Sequence, residues 1–460
     1  MSFFRSDSSN DFSKGSMWSN IMRQAIPLTI AQLINVLYNI VDRMYIGHIP
    51  GTGTMALTGL GISFPILMII TAFTNLFGRG GAPLASILRG EGKVGQAQKI
   101  MNNSFTLLIM AGIIIEILAF LIKKPVLYAF GASDATYPYA DAYLSIYLLG
   151  TPFSMVGLGM NNFINVQGFP TIGMATVAIG ALLNIVLDPL FIFVFGMGVK
   201  GAALATILSQ AVSCVWVLCF LCGKKAILHI DRRQMRVDPK IAGRIIALGT
   251  SDFTAQLTNS VVQIVYNSTL SAFGGDIYVG MMTILNSIRE VIFMPISGLN
   301  GGGQPVLGYN YGAEKNSRVC QGIRIMAGGS IVYCTAAWAL LMIFPLFFVR
   351  IFTSDPALLK IAGRCVRLYY MGVFLMSLQM SAQSIYVSLG KAKKAIFFSL
   401  FRKVILVVPL ALILPHLFGL GIDGVFLSEP ISDLIGGGTS FTVMMLTVYR
   451  PLKKSENAKL

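Results

Sequence analysis

The sequence predicts an all-α integral membrane protein: twelve transmembrane helices in two six-helix, pseudo-symmetric lobes around a central cavity. Three observations lead there. The chain is 55% hydrophobic and only 12% charged, with a mean hydropathy of +0.72, whereas soluble globular chains carry about 25% charged residues. Its apolar residues fall in blocks of roughly 20, the length a helix needs to cross about 30 Å of hydrocarbon. The second half of the chain also repeats the first. The blocks do not alternate polar and apolar residues, as the strands of a membrane barrel would.

Twelve spans follow in order, at 19–46, 57–78, 100–122, 138–165, 172–195, 201–222, 241–271, 277–300, 318–345, 360–388, 394–416 and 422–448. The first 16 residues are polar and carry no cleavable signal pattern. Trp18 is placed to anchor the first span at an interface. Spans 4, 7, 9 and 10 are longer than a perpendicular crossing needs, which predicts tilt or extension beyond the bilayer.

The net charge of +16 is a topology signal rather than a nucleic-acid footprint. With the N-terminus inside, the inner segments carry 26 of the 35 Lys and Arg residues, including Arg402 and Lys403 at the start of span 11. The positive-inside rule then places both termini in the cytoplasm of a cell-membrane protein. The six cysteines lie in or beside spans. Cys219 and Cys222 form a CxxC with no second ligand pair, and they read as packing residues.

The most basic loop, 223–244, divides the chain into six spans and six spans. Around it the halves align. "AQLINV" (31–36) matches "AQLTNS" (255–260) at an offset of 224, and "GGAPLASILRGEGK" (80–93) matches "GGQPVLGYNYGAEK" (302–315) at 222. Gly168 matches Gly390 at 222, and "FGMGVKG" (195–201) matches "FGLGIDG" (418–424) at 223. Duplication of this kind is a transporter signature. An even number of spans separates the repeats, so equivalent helices run in the same direction. The expected organisation is a first lobe at 1–222 holding the cation-coupling site, a cytoplasmic basic linker at 223–244, and a second lobe at 245–460. "GRGGAP" (78–83) and "GGGQPVLGYNYG" (301–312) lack the GKS/T of a phosphate loop and read as close-packing glycines. With no ATPase site, the chain is expected to be a secondary transporter and not an enzyme.

Acids inside spans are costly, about 3 kcal/mol each at the bilayer centre. Asp42 closes a stripe with Gln32, Asn35 and Asn39 at helical spacing on span 1. Such a stripe faces a cavity or partner helices, and interhelical hydrogen bonding would explain the amides better than the acid. Asn184 and Asp188 stand at i and i+4 on span 5. Counted from the span ends at about 1.5 Å per residue, Asp42, Asp188 and Thr206 lie roughly 8, 12 and 8 Å deep. They can converge with Asn184 on one small cation. Paired carboxylates suit a proton, and an all-oxygen set suits Na⁺; in the latter case Asp42, Asn184, Asp188 and Thr206 would be the metal ligands. No other cofactor is expected.

The second lobe is not a copy. Asp42 aligns with Tyr266, Asp188 with Ala411, and Thr206 with Glu429. Gln256 and Asn259 offer amides on span 7. Asn286, Glu290 and Met294 share a face of span 8, with Glu290 a candidate anion for a cationic substrate or a partner of Arg289. Glu429 and Asp433 share a face of span 12 and read as either functional or structural. The candidate substrate contacts are therefore Gln32, Asn35, Asn39, Gln256, Asn259, Glu290 and Met294.

"QPVLGYNYGA" (304–313), "NIVLDPLFIF" (184–193) with "GMGVKGAALAT" (196–206), and "NIVDRMYIG" (39–47) resemble the multidrug and toxic compound extrusion family, in particular its MepA-like branch, over residues 17–450. The resemblance implies H⁺- or Na⁺-coupled export of amphipathic cationic molecules by alternating access. It implies the same Asp42, Asn184, Asp188 and Thr206 set, and adds Tyr143 and Asn161 from span 4. The competing expectation is a lipid or lipid-linked oligosaccharide flippase of the same superfamily. A flippase should line its cavity with Arg or Lys, and only Arg43 and Arg289 lie well inside spans away from the inner loops. The partners expected are the lipid bilayer and small cationic amphiphiles, without nucleic acid and with no oligomer indicated.

Overall fold

A computed structural model describes residues 11–417 and 419–457. The first ten residues, with Arg5, and the last three, with Lys459, fall outside that range. Among the described residues there are helices and no strands. The spans are Met17–Gly47, Gly53–Gly90, Val94–Ala129, Tyr137–Leu149 with Thr151–Val166, Pro170–Val194, Val199–Cys222, Pro239–Gly274, Asp276–Gly312, Asn316–Ile343, Pro356–Tyr370 with Val373–Ser388, Ala392–His416 and Ile422–Glu456. A six-residue helix, Pro345–Arg350, leads from span 9 into span 10. Among the described residues, nine spans are single apolar stretches of helix, and spans 4 and 10 are pairs bent by 58° and 44°. Span 7 completes the twelve, its middle diluted by the polar run at 250–260.

The repeat is visible in the packing. Gly150, at the bend of span 4, lies so close to span 6 that an added Cβ would stand 2.5 Å from Ile207. Gly372, at the bend of span 10, approaches Pro430 in the same way at 2.8 Å. Ile207 and Pro430 are 223 residues apart, and Gly150 and Gly372 are 222 apart. Spans 4 and 10, over-long in sequence and expected to tilt or extend beyond the bilayer, are bent at these glycines. The turns into spans 6 and 12 carry Gly198 (φ 56°) and Gly421 (φ 51°), a backbone region that side chains disfavour.

By its contacts the chain forms two compact units. One contains Ile26–Gly249, and the other contains Phe12–Ala25 together with Thr250–Leu460. In the second unit, Asn310 Nδ2 donates to the Phe12 carbonyl at 3.0 Å and Arg318 Nη1 donates to that of Gly15 at 2.8 Å. Phe12 is buried against Tyr309, with ring centroids 5.7 Å apart. In the first unit, the basic linker lies on the bundle. Gln167 Oε1 accepts from the amides of Ile227 (2.6 Å) and Leu228 (2.7 Å), and Asn103 Oδ1 accepts from that of Asp238 (2.7 Å).

The glycine motifs are close-packing devices. Gly78 packs on Gly159, and a Cβ there would lie 2.7 Å from its Cα. Gly80 meets the backbone of Ile245 and Gly249, and Gly302 meets that of Ala25. Gly80→Leu is expected to cost at least the 1–3 kcal/mol typical of overpacking, because backbone cannot move aside as a flexible side chain does. A Tm in detergent within about 1 °C of wild type would contradict this close approach.

Cys219 and Cys222 are exposed on span 6 rather than part of the buried core, so any packing role they have is at the surface of the span.

Candidate functional site

Span 5 positions the first lobe's acid. Its α-helix runs to Pro189, and a π-helical turn, Leu190–Val194, follows. Such turns recur at functional sites because they free a backbone acceptor and re-aim side chains. One turn before Pro189, Asn184 Nδ2 donates to Asp188 Oδ1 at 3.2 Å and to Thr206 Oγ1 at 3.4 Å. The Thr206 hydroxyl itself donates to the Ala202 carbonyl at 3.0 Å. Asp42 reaches this cluster from span 1, its carboxyl within hydrogen-bonding range of that of Asp188. Asp42, Asn184, Asp188 and Thr206 are all buried.

The open valences decide the chemistry. Asp42 Oδ1, Asn184 Oδ1 and Asp188 Oδ2 are buried without a hydrogen-bond partner. Each is an acceptor. Two carboxylates facing each other at low dielectric repel unless a proton or cation sits between them. No cluster of three His, Cys, Asp or Glu occurs among the described residues, so a soft transition metal does not fit this donor set. A proton or a hard monovalent cation does. Arg43, the next residue along, is exposed and stacks over Phe64 with its guanidinium carbon 5.7 Å from the ring centre.

Tyr143 joins the group. It is buried, its hydroxyl lies in reach of Thr206, and its ring stacks on Tyr147 with centroids 6.0 Å apart. Asn161 is not brought there. It lies toward the far end of span 4, where its Nδ2 donates to the Gly173 carbonyl at 3.1 Å. The two residues sit on opposite sides of the bend at Gly150 and 18 residues apart in sequence, about 27 Å along a helix, so they do not meet at one ion.

Sequence reasoning missed the cavity beside this cluster. It measures about 100 Å³ and is lined by Asn35, Tyr38, Ser154, Asn184, Thr206 and Gln210 among others, room for several waters. Ser209 Oγ and Gln210 Oε1 also lack partners. The signal was present: Gln210 stands at i+4 from Thr206, and Tyr38 at i−4 from Asp42.

The candidate substrate contacts are more dispersed. Asn35 and Asn39 are exposed and bonded to each other, with Asn39 Nδ2 donating to Asn35 Oδ1 at 2.8 Å; Gln32 is half-buried. In the second lobe, Asn259 Oδ1 accepts from Lys403 Nζ at 2.5 Å, while Gln256 and Met294 are half-buried. Asn286 Nδ2 donates to Gln263 Oε1 at 2.8 Å, which ties span 8 to span 7. Glu290 is exposed on its lobe. Arg289 turns inward instead, and its Nη1 pairs with Glu429 at 3.0 Å. The possible Glu290–Arg289 pair is therefore replaced by one that reaches span 12.

Arg402 corrects the reading of the inner charges. Counted in the sequence with the basic inner segments, it is buried inside the second lobe. Its Nη1 pairs with Glu429 Oε1 at 3.1 Å and with Asp433 Oδ1 at 2.7 Å. Tyr266 donates its hydroxyl to Glu429 Oε2 at 3.0 Å. Glu429 and Asp433 thus belong to a charged quartet with two arginines, Arg402 buried and Arg289 partly buried.

Comparison with known proteins agrees with this architecture. The MatE family model matches residues 27–190 and 253–413. The multidrug export protein MepA of Staphylococcus saprophyticus is 24% identical over 92% of both chains, and that of Staphylococcus aureus strain MRSA252 is 23% identical over 89% of this chain and 90% of its own. A solved structure described as the outward-facing conformation of a multidrug resistance MATE family transporter of the MOP superfamily superposes with a TM-score of 0.89 at 23% identity, over 98% of this chain and 100% of that one. A transporter of the same superfamily from Pyrococcus furiosus superposes at 0.90 with 23% identity, over 98% of this chain and 99% of its own. The matched segments fall one in each half of a duplicated, twelve-span chain, and on this evidence the chain belongs to the MatE family.

Proposed function

We propose that this chain is a multidrug exporter that expels amphipathic cationic compounds in exchange for H⁺ or Na⁺ bound by its first lobe. The observation that carries the coupling is the facing carboxyls of Asp42 and Asp188, buried with only acceptor atoms left open. The named relatives support the cargo, since they are multidrug export proteins. The basic inner segments support a cytoplasmic location for both termini. In this reading the coupling ion drives exchange by binding one access state more tightly than the other. Among the ligands, Asp42 and Asp188 supply charge, Asn184 and Thr206 supply neutral oxygens, and Tyr143 orders Thr206. The test is ethidium efflux from proteoliposomes under separately imposed proton and sodium gradients. Efflux under neither gradient would end the exchange reading.

The flippase alternative calls for free cations inside the lobes. Two of the arginines it could use, Arg289 and Arg402, are already committed to Glu429 and Asp433, which favours the exporter.

Glu290, exposed on the second lobe, is proposed as an anionic contact for the cargo. Glu290→Gln is expected to weaken export of cationic dyes by up to about fivefold more than export of neutral compounds, the reach of a solvated charge pair. Initial efflux rates for a charge series measure it. Equal loss across the series would assign Glu290 to structure.

A further inference from the structure

The internal repeat allows a residue-by-residue comparison of the two lobes at the acid cluster. Register is fixed by packing. Gly201 lies against Phe191 and Gly424 against Leu414, each with 2.7 Å to an added Cβ, and both pairs are related by 223 residues. Spans 5 and 11 begin at Pro170 and Ala392, 222 apart. At these offsets Thr206 and Gln210 of the first lobe correspond to Glu429 and Asp433 of the second. Gly180, which lines the first-lobe cavity, corresponds to Arg402.

That last equivalence is checked by a reciprocal exchange of size. In the first lobe Gly180 packs on Ser213, with 2.5 Å from an added Cβ to Oγ. In the second, the partner at the Ser213 position is Gly436, which lies against the Arg402 stem with 2.7 Å from an added Cβ to Cγ. The small residue has changed sides, and Arg402 fills the space. Its guanidinium ends between Glu429 and Asp433. At the Asp42 position stands Tyr266, hydrogen-bonded to Glu429, and at the Asp188 position stands Ala411.

We infer that the guanidinium of Arg402 is a tethered cation, covalently supplied where the first lobe leaves oxygen acceptors open. The second lobe therefore holds no exchangeable ion, and removing the guanidinium uncovers a site for a monovalent cation. Charge count agrees. Without Arg402, the remaining Arg289, Glu429 and Asp433 carry one net negative charge, while the intact quartet is neutral. The correspondence with an ion site rests on the proposed role of Asp42 and Asp188; the vacancy created by removing Arg402 does not.

The experiment uses the full chain in detergent with Arg402→Ala and methylguanidinium at millimolar concentration, against sodium chloride at equal ionic strength. Methylguanidinium is expected to raise the Tm of this variant saturably, by about 3 °C at tenfold excess over its Kd, and to leave wild type unchanged. A folded Arg402→Ala that ignores methylguanidinium, or a wild type that responds equally, overturns the inference. If Arg402→Ala does not fold, Arg402→Ala/Asp433→Asn decides, because it restores neutrality. Folding of that variant with no methylguanidinium response supports a tethered charge, and its failure to fold overturns it. A second readout is ion uptake by the Asp42→Asn/Asp188→Asn variant, which should be absent. Uptake there places an exchangeable ion outside the first lobe. A wild type that takes up no ion defeats the coupling proposal alone and leaves the methylguanidinium result standing.

Discussion

Replacing Asp42 or Asp188 by asparagine is expected to end gradient-driven efflux while leaving a folded, membrane-inserted protein. Asparagine keeps the shape of the side chain and removes the charge. The facing carboxyls then lose the repulsion that demands a proton or cation between them. With no ion bound differently in the two access states, a gradient has nothing to act on. The expected size is large, because moving one charge through 100 mV supplies about 2.3 kcal/mol, or roughly 50-fold in accumulation. Each variant should still let substrate equilibrate down its own gradient. The measurement is dye accumulation in everted vesicles, with size-exclusion profiles to verify folding. Wild-type accumulation in both variants would remove these acids from the coupling site.

Glu429→Gln should strike stability instead. Glu429 accepts from Tyr266 at 3.0 Å and pairs with Arg289 at 3.0 Å and Arg402 at 3.1 Å. Neutralising it leaves the buried guanidinium of Arg402 and the partly buried one of Arg289 against the single carboxylate of Asp433. Breaking a buried pair from one side costs about 3–5 kcal/mol, because the orphaned charge stays desolvated. That is a large share of the 5–15 kcal/mol that holds a typical domain together. A thermal shift in detergent reads it. A change of under about 1 kcal/mol would mean that the quartet is more hydrated than its burial indicates.

The spans and the first-lobe cluster were legible because both follow from one-dimensional spacing. Apolar blocks set the helices. The i, i+4 pairing of Asn184 with Asp188, and the depth of Asp42 and Thr206, set the convergence. What escaped was whatever depends on a helix leaving its straight path or on a charge crossing between spans. The 58° bend at Gly150 was legible only as an over-long span 4. Arg402 follows Lys391, Lys393 and Lys394 closely enough to be counted with the inner segment that they begin. Only its partners on span 12, some 30 residues away, show that it is internal. The repeat itself held the missing signal: a glycine in one half aligned with an arginine at the equivalent position of the other is too great a change of volume to leave the packing alike.

The exchange of helix beginnings between the two compact units has a consequence for how the chain can be made. The first unit is completed by residues encoded in the second half, up to Gly249, and the second unit by Phe12–Ala25 from the very start. Neither half of the gene therefore specifies a finished bundle. A ribosome that has delivered only the first six spans has inserted a structure with an empty berth beside Gly80, which is filled once Ile245 and Gly249 emerge. The opening residues meanwhile wait for Asn310 and Arg318, roughly 300 positions later, before they have a place to dock. Once a duplicated ancestor had traded ends in this manner, the halves could no longer part company. Separated into two polypeptides, each would have to be produced alongside the other and lend it a helix end.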